Sequence, residues 1–487
     1  MANKTTISHL DPCSAALPYD RSRVMPGIVH LGVGAFHRAH MAVYIDDLLK
    51  TDTTWGIIGA SLRRPDTRNA LAPQDFLYTL VERSASGTSL RVIGSLLDVI
   101  DATSRRRELI AAMVDPHVRI VSLTVTEKGY CHDPATGMLQ PDHPDIVHDL
   151  DIYNAPVSVP GLIVRALELR RAAGIAPFAV LSCDNLPANG ETTARVITQF
   201  AGMRSAELAD FVDAEVAFPS TMVDRIVPST TDEDRSAVAE ESGLYDAWPV
   251  VTEPFTQWVV EDRFPSGRPA LEKVGVELVP DVRPFELMKL RMLNGSHSSL
   301  AYLGFLAGHE FVSGAIREPA LARFAHELMS REVVPTLPSG LGDLDLYRDA
   351  LLDRFANPAL KHRTWQIAMD GSQKLPQRLL GTIRDRLQQG ETIDMAALGV
   401  AGWMRYVTGV DEHGRPIDVR DPLAERLKSI SVAAQGDTGR LVDGLLGVRE
   451  IFGGDLPESE YFRDILCTHL DILFQRGALE AVRSVLC

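Results

Sequence analysis

The chain has 487 residues and an ordinary apolar fraction, enough for two or three domains with a sizeable core. A formal net charge of -16, with no basic block beyond residues 105–107 and 170–171, speaks against nucleic acid or any general polyanion as partner. The cysteines (Cys13, Cys131, Cys183, Cys467, Cys487) are scattered and form no Cys-x-x-Cys, the N-terminus is polar, and no apolar run reaches about 18 residues; these features argue against a disulfide framework, a structural zinc site and a membrane span, and predict a soluble cytoplasmic protein.

The first clear element is a short apolar run from Gly27 that ends in Gly32-Val-Gly34 and passes into a helical pattern over 35–49, through Phe36, Val43 and Leu48. Gly-x-Gly between a strand and a helix suits a dinucleotide phosphate loop. Gly32 allows the tight turn, and Gly34 lets the backbone approach a pyrophosphate. The third fingerprint position holds His37 in place of glycine. A second strand is predicted over 55–61. Beyond it, Asp66 could accept a ribose 2′-hydroxyl and favour NAD, whereas Arg63 and Arg64 could meet the 2′-phosphate of NADP, so the choice stays open.

Residues 76–82 and 90–94 read as a pair of shorter strands, and 107–114 as a helix. The β-branched run 118–126 reads as a buried strand ending at Glu127. A helix at 161–169 leads into a strand at 178–183 that ends in Asp184-Asn185, and Met222-Val-Asp224-Arg225 reads as a third polar turn. Open parallel sheets bind ligands at such strand ends. This alternation predicts a doubly wound, Rossmann-like α/β domain over 1–280. From 281 to 487 the pattern is almost wholly helical.

The second domain opens on Pro284-Phe-Glu-Leu-Met-Lys-Leu-Arg-Met-Leu-Asn-Gly-Ser-His297, which reads as one α-helix capped by Asp281, with Pro284 in its first turn. At α-helical spacing Glu286, Lys289, Asn294 and His297 fall within an arc of about 140° on an otherwise apolar surface. A half-solvated helix would show the same stripe. A lysine buried there would have a lowered pKa and could serve as a base near neutrality.

No tyrosine has a lysine four residues on, so the Tyr-x-x-x-Lys pair of short-chain dehydrogenases is absent. Cys131-His132 are adjacent, which fits no known catalytic zinc spacing, and His37-x-x-His40 is better read as packing against the nucleotide loop than as a metal pair.

Taken together, Gly32-Val-Gly-Ala-Phe-His-Arg-Ala-His40, Thr126-Glu-Lys-Gly-Tyr-Cys131, Ser182-Cys-Asp-Asn-Leu-Pro187 and Lys289-x4-Asn294-x2-His297 resemble the polyol-specific long-chain dehydrogenases, the mannitol dehydrogenase family. The resemblance runs through essentially the whole chain. Within the family, residues 289–297, 362–378 and 399–406 are most similar to the fructuronate reductases, also called D-mannonate oxidoreductases. The resemblance implies a metal-independent oxidoreductase using NAD, with NADP not excluded. Its substrate would be a sugar acid or polyol, best matched by D-mannonate and D-fructuronate, and its state a monomer or weak homo-oligomer. It implies Lys289 as general base, and Asn294 and Asn185 as donors to the reacting oxygen. His297 would hold a substrate hydroxyl, and Glu286 would tune or relay. Glu127, Asp224 and Lys374 would line the substrate site, with Gln366 standing where mannitol 2-dehydrogenases carry an arginine. Gly32, Gly34, Phe36, His37 and Arg38 would hold the cofactor. A sugar-acid sensor that kept the fold without the chemistry is the alternative of another class.

Overall fold

The computed structural model describes residues 17–133, 136–151 and 154–486, together with the backbone of Thr5–Thr6. Cys13, Cys487 and most of the N-terminal stretch read above lie outside the described residues. The chain divides into two compact units, Met1–Arg283 and Pro284–Cys487.

The first unit is built on five strands: β1 (Pro26–Leu31), β2 (Gly56–Ser61), β3 (Leu96–Asp101), β4 (Ile120–Leu123) and β5 (Ala179–Ser182). They form one sheet in the order β3-β2-β1-β4-β5, with every neighbouring pair parallel. Successive residues of β1 are buried on opposite faces. Ile28 packs into one core and Val29 and Leu31 into another, so apolar cover lies on both sides, as a parallel sheet requires. The strand order reverses between β1 and β4, which makes their carboxyl ends the binding crevice of such a sheet.

Three expectations are corrected. The helix expected over 35–49 breaks at His40, whose φ of -121° and ψ of -94° separate α1 (Ala35–Ala39) from α2 (Met41–Leu48). The strand expected over 118–126 ends at Leu123, because the amides of Val125 and Thr126 turn to the Asp184 carboxylate instead of a ladder. Met222-Val-Asp224 is no turn. It belongs to β6 (Thr221–Asp224), which pairs antiparallel with β7 (Gln257–Glu261), itself parallel to β8 (Glu277–Val279). The pair of strands expected over 76–82 and 90–94 is present as a hairpin, Tyr78–Ser84 with Gly87–Ile93, and a further strand, Val250–Thr252, joins it.

In the second unit, the helix Ser296–Leu306 is buried all round except at Phe305. It packs on the equally buried helix Asp394–Tyr406, and Gly399 is what lets the two approach. A Cβ there would stand 2.5 Å from Ser299 Oγ. Three short stretches are wound as π-helix: Lys289–Gly295, Leu328–Val333 and Pro376–Leu380. Among the described residues no helix is long and apolar enough to cross a membrane.

Candidate active site and dinucleotide pocket

In the first unit a cavity of about 410 Å3 opens over the carboxyl ends of β1, β2 and β4. Gly32 makes the turn at φ +94°, and a Cβ there would stand 2.2 Å from the Thr124 carbonyl oxygen. Only glycine fits this turn. Gly34 is exposed in extended backbone, and the nearest atom to a Cβ there, the Gly32 carbonyl oxygen, is 3.9 Å away, so the chain is open to close approach. Arg63, Arg64, Arg106 and Lys128 line the cavity against one carboxylate, Asp145. That balance suits an anionic ligand. Ser61 Oγ, also in the lining, is buried without a hydrogen-bond partner, a place for a ligand hydroxyl.

Phe36, His37, Arg38 and Asp66 are not in this lining. His37 stacks on His30 at 3.5 Å between centroids, and burial holds its pKa well below the ordinary histidine value. His30 is pushed down to about 3 by burial, and its two ring nitrogens meet Ser122 Oγ and Thr124 Oγ1 at 2.8 Å each. Phe36 stacks on His40, while the Arg38 guanidinium donates to the Trp248 carbonyl and lies over the Tyr78 ring. These side chains brace the loop from beneath. Asp66 opens the helix Asp66–Leu71 and is exposed, whereas its neighbour Thr67 lines the cavity and donates to the Val33 carbonyl at 3.3 Å.

Three further positions sit at strand ends of the same unit. Asp184 accepts the amides of Val125 and Thr126 at 3.0 Å each and the Tyr130 hydroxyl at 2.8 Å, tying the end of β4 to that of β5. Burial pushes its pKa above the usual carboxylate range. Asn185, next in the chain, is exposed. So is Glu127, in the turn Glu127–Tyr130, while Asp224 is buried at the end of β6.

At the start of the second unit, α-helical winding stops where the chemistry was expected. The segment Arg283–Met288 is α-helical, Lys289–Gly295 is π-helical, and α-winding resumes at Ser296. The Asp281 carboxylate accepts the Arg283 amide at 3.0 Å, the expected cap. The single α-helix of the sequence reading is therefore corrected in its middle. Residues five apart stand about 140° from each other in an α-helix, but the wider π-turn, about 4.4 residues, leaves them only about 50° apart. Lys289 and Asn294 are such a pair. Lys289 and His297 are buried, and Asn294 and Glu286 are half-buried.

Packing holds this winding. A Cβ at Gly295 would stand 2.7 Å from the Arg378 carbonyl oxygen, so the π segments Lys289–Gly295 and Pro376–Leu380 meet at the backbone. Arg291 anchors the segment elsewhere, donating to Thr336 Oγ1 at 2.7 Å and Asp385 Oδ2 at 2.6 Å.

The His297 ring stacks on Phe355 at 5.0 Å and meets His362 edge-on at 4.8 Å. Burial, with His362 and the cations Arg378, Arg354 and Lys374 around it, holds His297 well below its ordinary pKa, so it is neutral. Its Nε2 is buried without a partner among the described residues, ready for a ligand hydroxyl. Burial likewise pushes His362 down to about 4. Lys374 donates to the carbonyls of Ile367 and Met369, and Gln366 is exposed on the short helix Thr364–Ala368. Ser61, His362 and Arg378 carry no local signal of a role in the sequence. The last two begin and end the stretch 362–378 that carried part of the resemblance.

Cys131, His143 and Asp145 offer ligand atoms within 4.8 Å of one another. Burial, then Asp145 and Asp149, push the Cys131 thiol up to about 12, so it stays protonated, and His143 Nδ1 already accepts the Asp145 amide at 3.2 Å. A metal ligand would need the thiolate.

The mannitol dehydrogenase Rossmann domain matches residues 26–273, and the mannitol dehydrogenase C-terminal domain matches residues 281–473. D-mannonate oxidoreductase of Escherichia coli is 47% identical over 99% of this chain and 100% of its own. Mannitol 2-dehydrogenase of Aspergillus fumigatus is 41% identical over 99% of this chain and 98% of its own. The structure of mannitol 2-dehydrogenase of Pseudomonas fluorescens, a ternary complex with NAD and D-mannitol, superposes with a TM-score of 0.88 at 42% identity, covering 99% of this chain and 98% of that one. The chain belongs to the mannitol dehydrogenase family of oxidoreductases.

Proposed function

We propose that the protein is an NAD-dependent oxidoreductase that interconverts D-mannonate and D-fructuronate. The observation that carries this reading is the 47% identity, over the full length of both chains, to a relative named D-mannonate oxidoreductase. The cavity of the first unit fits a dinucleotide: a glycine turn open to backbone approach, cationic walls and an orphaned Ser61 hydroxyl. Bound NAD supplies the hydride acceptor.

The chain's own residues handle the proton and the oxygen. In oxidation Lys289 Nζ takes the proton of the substrate hydroxyl. The Asn294 amide, brought towards Lys289's side of the helix by the π-turn, donates to the same oxygen as negative charge develops on it. Asn185 is given the same role on the resemblance alone. Neutral His297 holds a neighbouring substrate hydroxyl through Nε2.

A second reading, a mannitol 2-dehydrogenase, is favoured by the likeness to the NAD- and mannitol-bound structure. A spectrophotometric assay of NADH oxidation with fructuronate, tagaturonate and fructose, and of NAD reduction with D-mannonate and D-mannitol, separates the two. We expect the highest kcat/KM with fructuronate and mannonate. Preference for fructose and mannitol would replace the first reading by the second. NADH binding without turnover of any of them would leave a sensor.

A further inference from the structure

The second unit contains a cation, Arg378, that no carboxylate among the described residues pairs with. Arg378 lies in the π segment Pro376–Leu380, and its Nη1 donates to Ser298 Oγ at 2.9 Å. Among the described residues that hydroxyl is its side chain's one hydrogen-bond acceptor, and no carboxylate ion pair is formed. Three fully buried arginines are better supplied. Arg291 meets Asp385, Arg225 meets Glu82, and Arg170 donates to four carbonyls. Desolvation lowers the pKa of Arg378, with Tyr302 acting the other way, yet a guanidinium stays charged in a protein. Arg378 is half-buried, and the guanidinium nitrogens beyond the one on Ser298 stay open to an anionic ligand.

Its place says which ligand. Ser298 follows His297 directly and lies four residues after Asn294, so Ser298 and Asn294 share a helix face. The guanidinium is anchored on that face and is among the charges that act on His297. Positions four apart on a helix lie about 5–6 Å from each other. That is also the scale separating the carboxylate of an extended mannonate from the carbinol four carbons along the chain. A planar guanidinium matches a carboxylate with two parallel hydrogen bonds.

We propose that Arg378 receives the substrate carboxylate and is the residue by which this site prefers a sugar acid to an uncharged polyol. The assignment rests on the sugar-acid reading of the active site. It makes Arg378 a specificity residue, remote from the reacting carbon.

The test is steady-state kinetics of Arg378→Gln and Arg378→Lys with D-mannonate and D-mannitol at saturating NAD. The expected result for Arg378→Gln is a KM for mannonate raised about 10- to 100-fold with kcat within a few-fold, the worth of a charge-assisted hydrogen bond. Mannitol kcat/KM should hold or rise, and Arg378→Lys should recover part of the loss. Equal losses on both substrates, or no loss on mannonate, would overturn the assignment while leaving the sugar-acid reading intact. A wild-type enzyme that turns over mannitol and no sugar acid would overturn both. Should Arg378→Gln not fold, two further measurements decide. Ser298→Ala, which loosens the guanidinium but keeps its charge, should raise the KM for mannonate selectively. Unreactive aldonates should compete with substrate at least about tenfold better than the matching alditols. Failure of either would overturn the assignment.

Discussion

At Gly32 the backbone needs a φ that side chains resist, and the residue type alone supplies it. At Lys289–Gly295 the backbone is wound with an extra residue per turn, and nothing in Lys-Leu-Arg-Met-Leu-Asn-Gly forbids an ordinary α-helix. There the shape comes from outside, from the Pro376–Leu380 segment against Gly295 and from Asp385 and Thr336 on Arg291. One functional turn is therefore local and the other is imposed by packing. Mutations should expose the difference: the loop should fail as a fold, and the helix should fail as a catalyst.

The largest effect is expected at Lys289. Lys289→Ala should lower kcat by about 10²–10⁴-fold, the usual worth of general base catalysis, while NADH binding, read by fluorescence titration, survives. Unchanged turnover would remove Lys289 from the mechanism. Gly32→Ala comes next, as a loss of stability. A left-handed φ and a Cβ at 2.2 Å from the Thr124 carbonyl together should cost about 3 kcal/mol or more in urea unfolding.

Gly295→Ala probes the imposed turn. Its Cβ would press on the Arg378 carbonyl at 2.7 Å, and the π segments can separate only by shifting Asn294 relative to Lys289. A stability loss of about 1–3 kcal/mol should accompany a fall in kcat, since displacements near 1 Å cost about 10²-fold in rate. If Gly295→Ala lost stability but kept kcat, the alignment of Lys289 with Asn294 would not be what the π-turn provides.

This contrast also explains what the sequence could say. β1, Gly32 and Gly34 were legible because apolar run, glycine turn and helix start are all local signals. The polar stripe of Glu286, Lys289, Asn294 and His297 was legible as a stripe, but its winding was not, because α- and π-turns use the same residues. β3 was missed because Asp98 interrupts its short apolar run, and Asp224 was misplaced because β6 is a strand only by virtue of its distant partner Gln257–Glu261. The missing anion at Arg378 needed side-chain neighbours from separate segments. The resemblance placed the stretch around it without saying what it does.

Acid should act on both regions in the same direction. His30 and His37 beneath the loop, and His297 and His362 beside the catalytic helix, all have folded pKa values below the ordinary 6.5. Below about pH 6.5 the unfolded chain binds protons that the native chain does not, so stability falls as pH falls, by up to about 1.4 kcal/mol per pH unit for each group. Glu332 works in the opposite sense. Burial pushes it up to about 7 from 4.5, so its contribution is largest when it is protonated and is lost as pH rises through that window. Four histidines against Glu332 leave a net loss on acidification, measurable by urea unfolding at pH 7.5, 6.5 and 5.5. Stability that rose with acid would contradict the burial of these rings as neutral groups. The kcat/KM profile over the same range should show no step from His297.

The smallest effect separates two neighbours at the end of β2. Sequence spacing pointed to Asp66 as acceptor for the ribose hydroxyl, with Asp66→Ala expected to weaken NAD use. In the structure Asp66 is exposed at the head of its helix, outside the cavity, while Arg63 and Arg64 line it. Asp66→Ala should accordingly change the KM for NAD by less than about twofold, the scale of a surface substitution away from the ligand. The paired variant Arg63→Ala, Arg64→Ala should lower whatever NADP activity the wild type has more than its NAD activity, because a 2′-phosphate gains most from guanidinium groups. The ratio of the two cofactors' kcat/KM values in the three proteins is the measurement. A ratio that moved with Asp66 and not with the arginines would return the ribose to the acid, and would mean that spacing along the chain had located the cofactor's edge better than the shape of the cavity does.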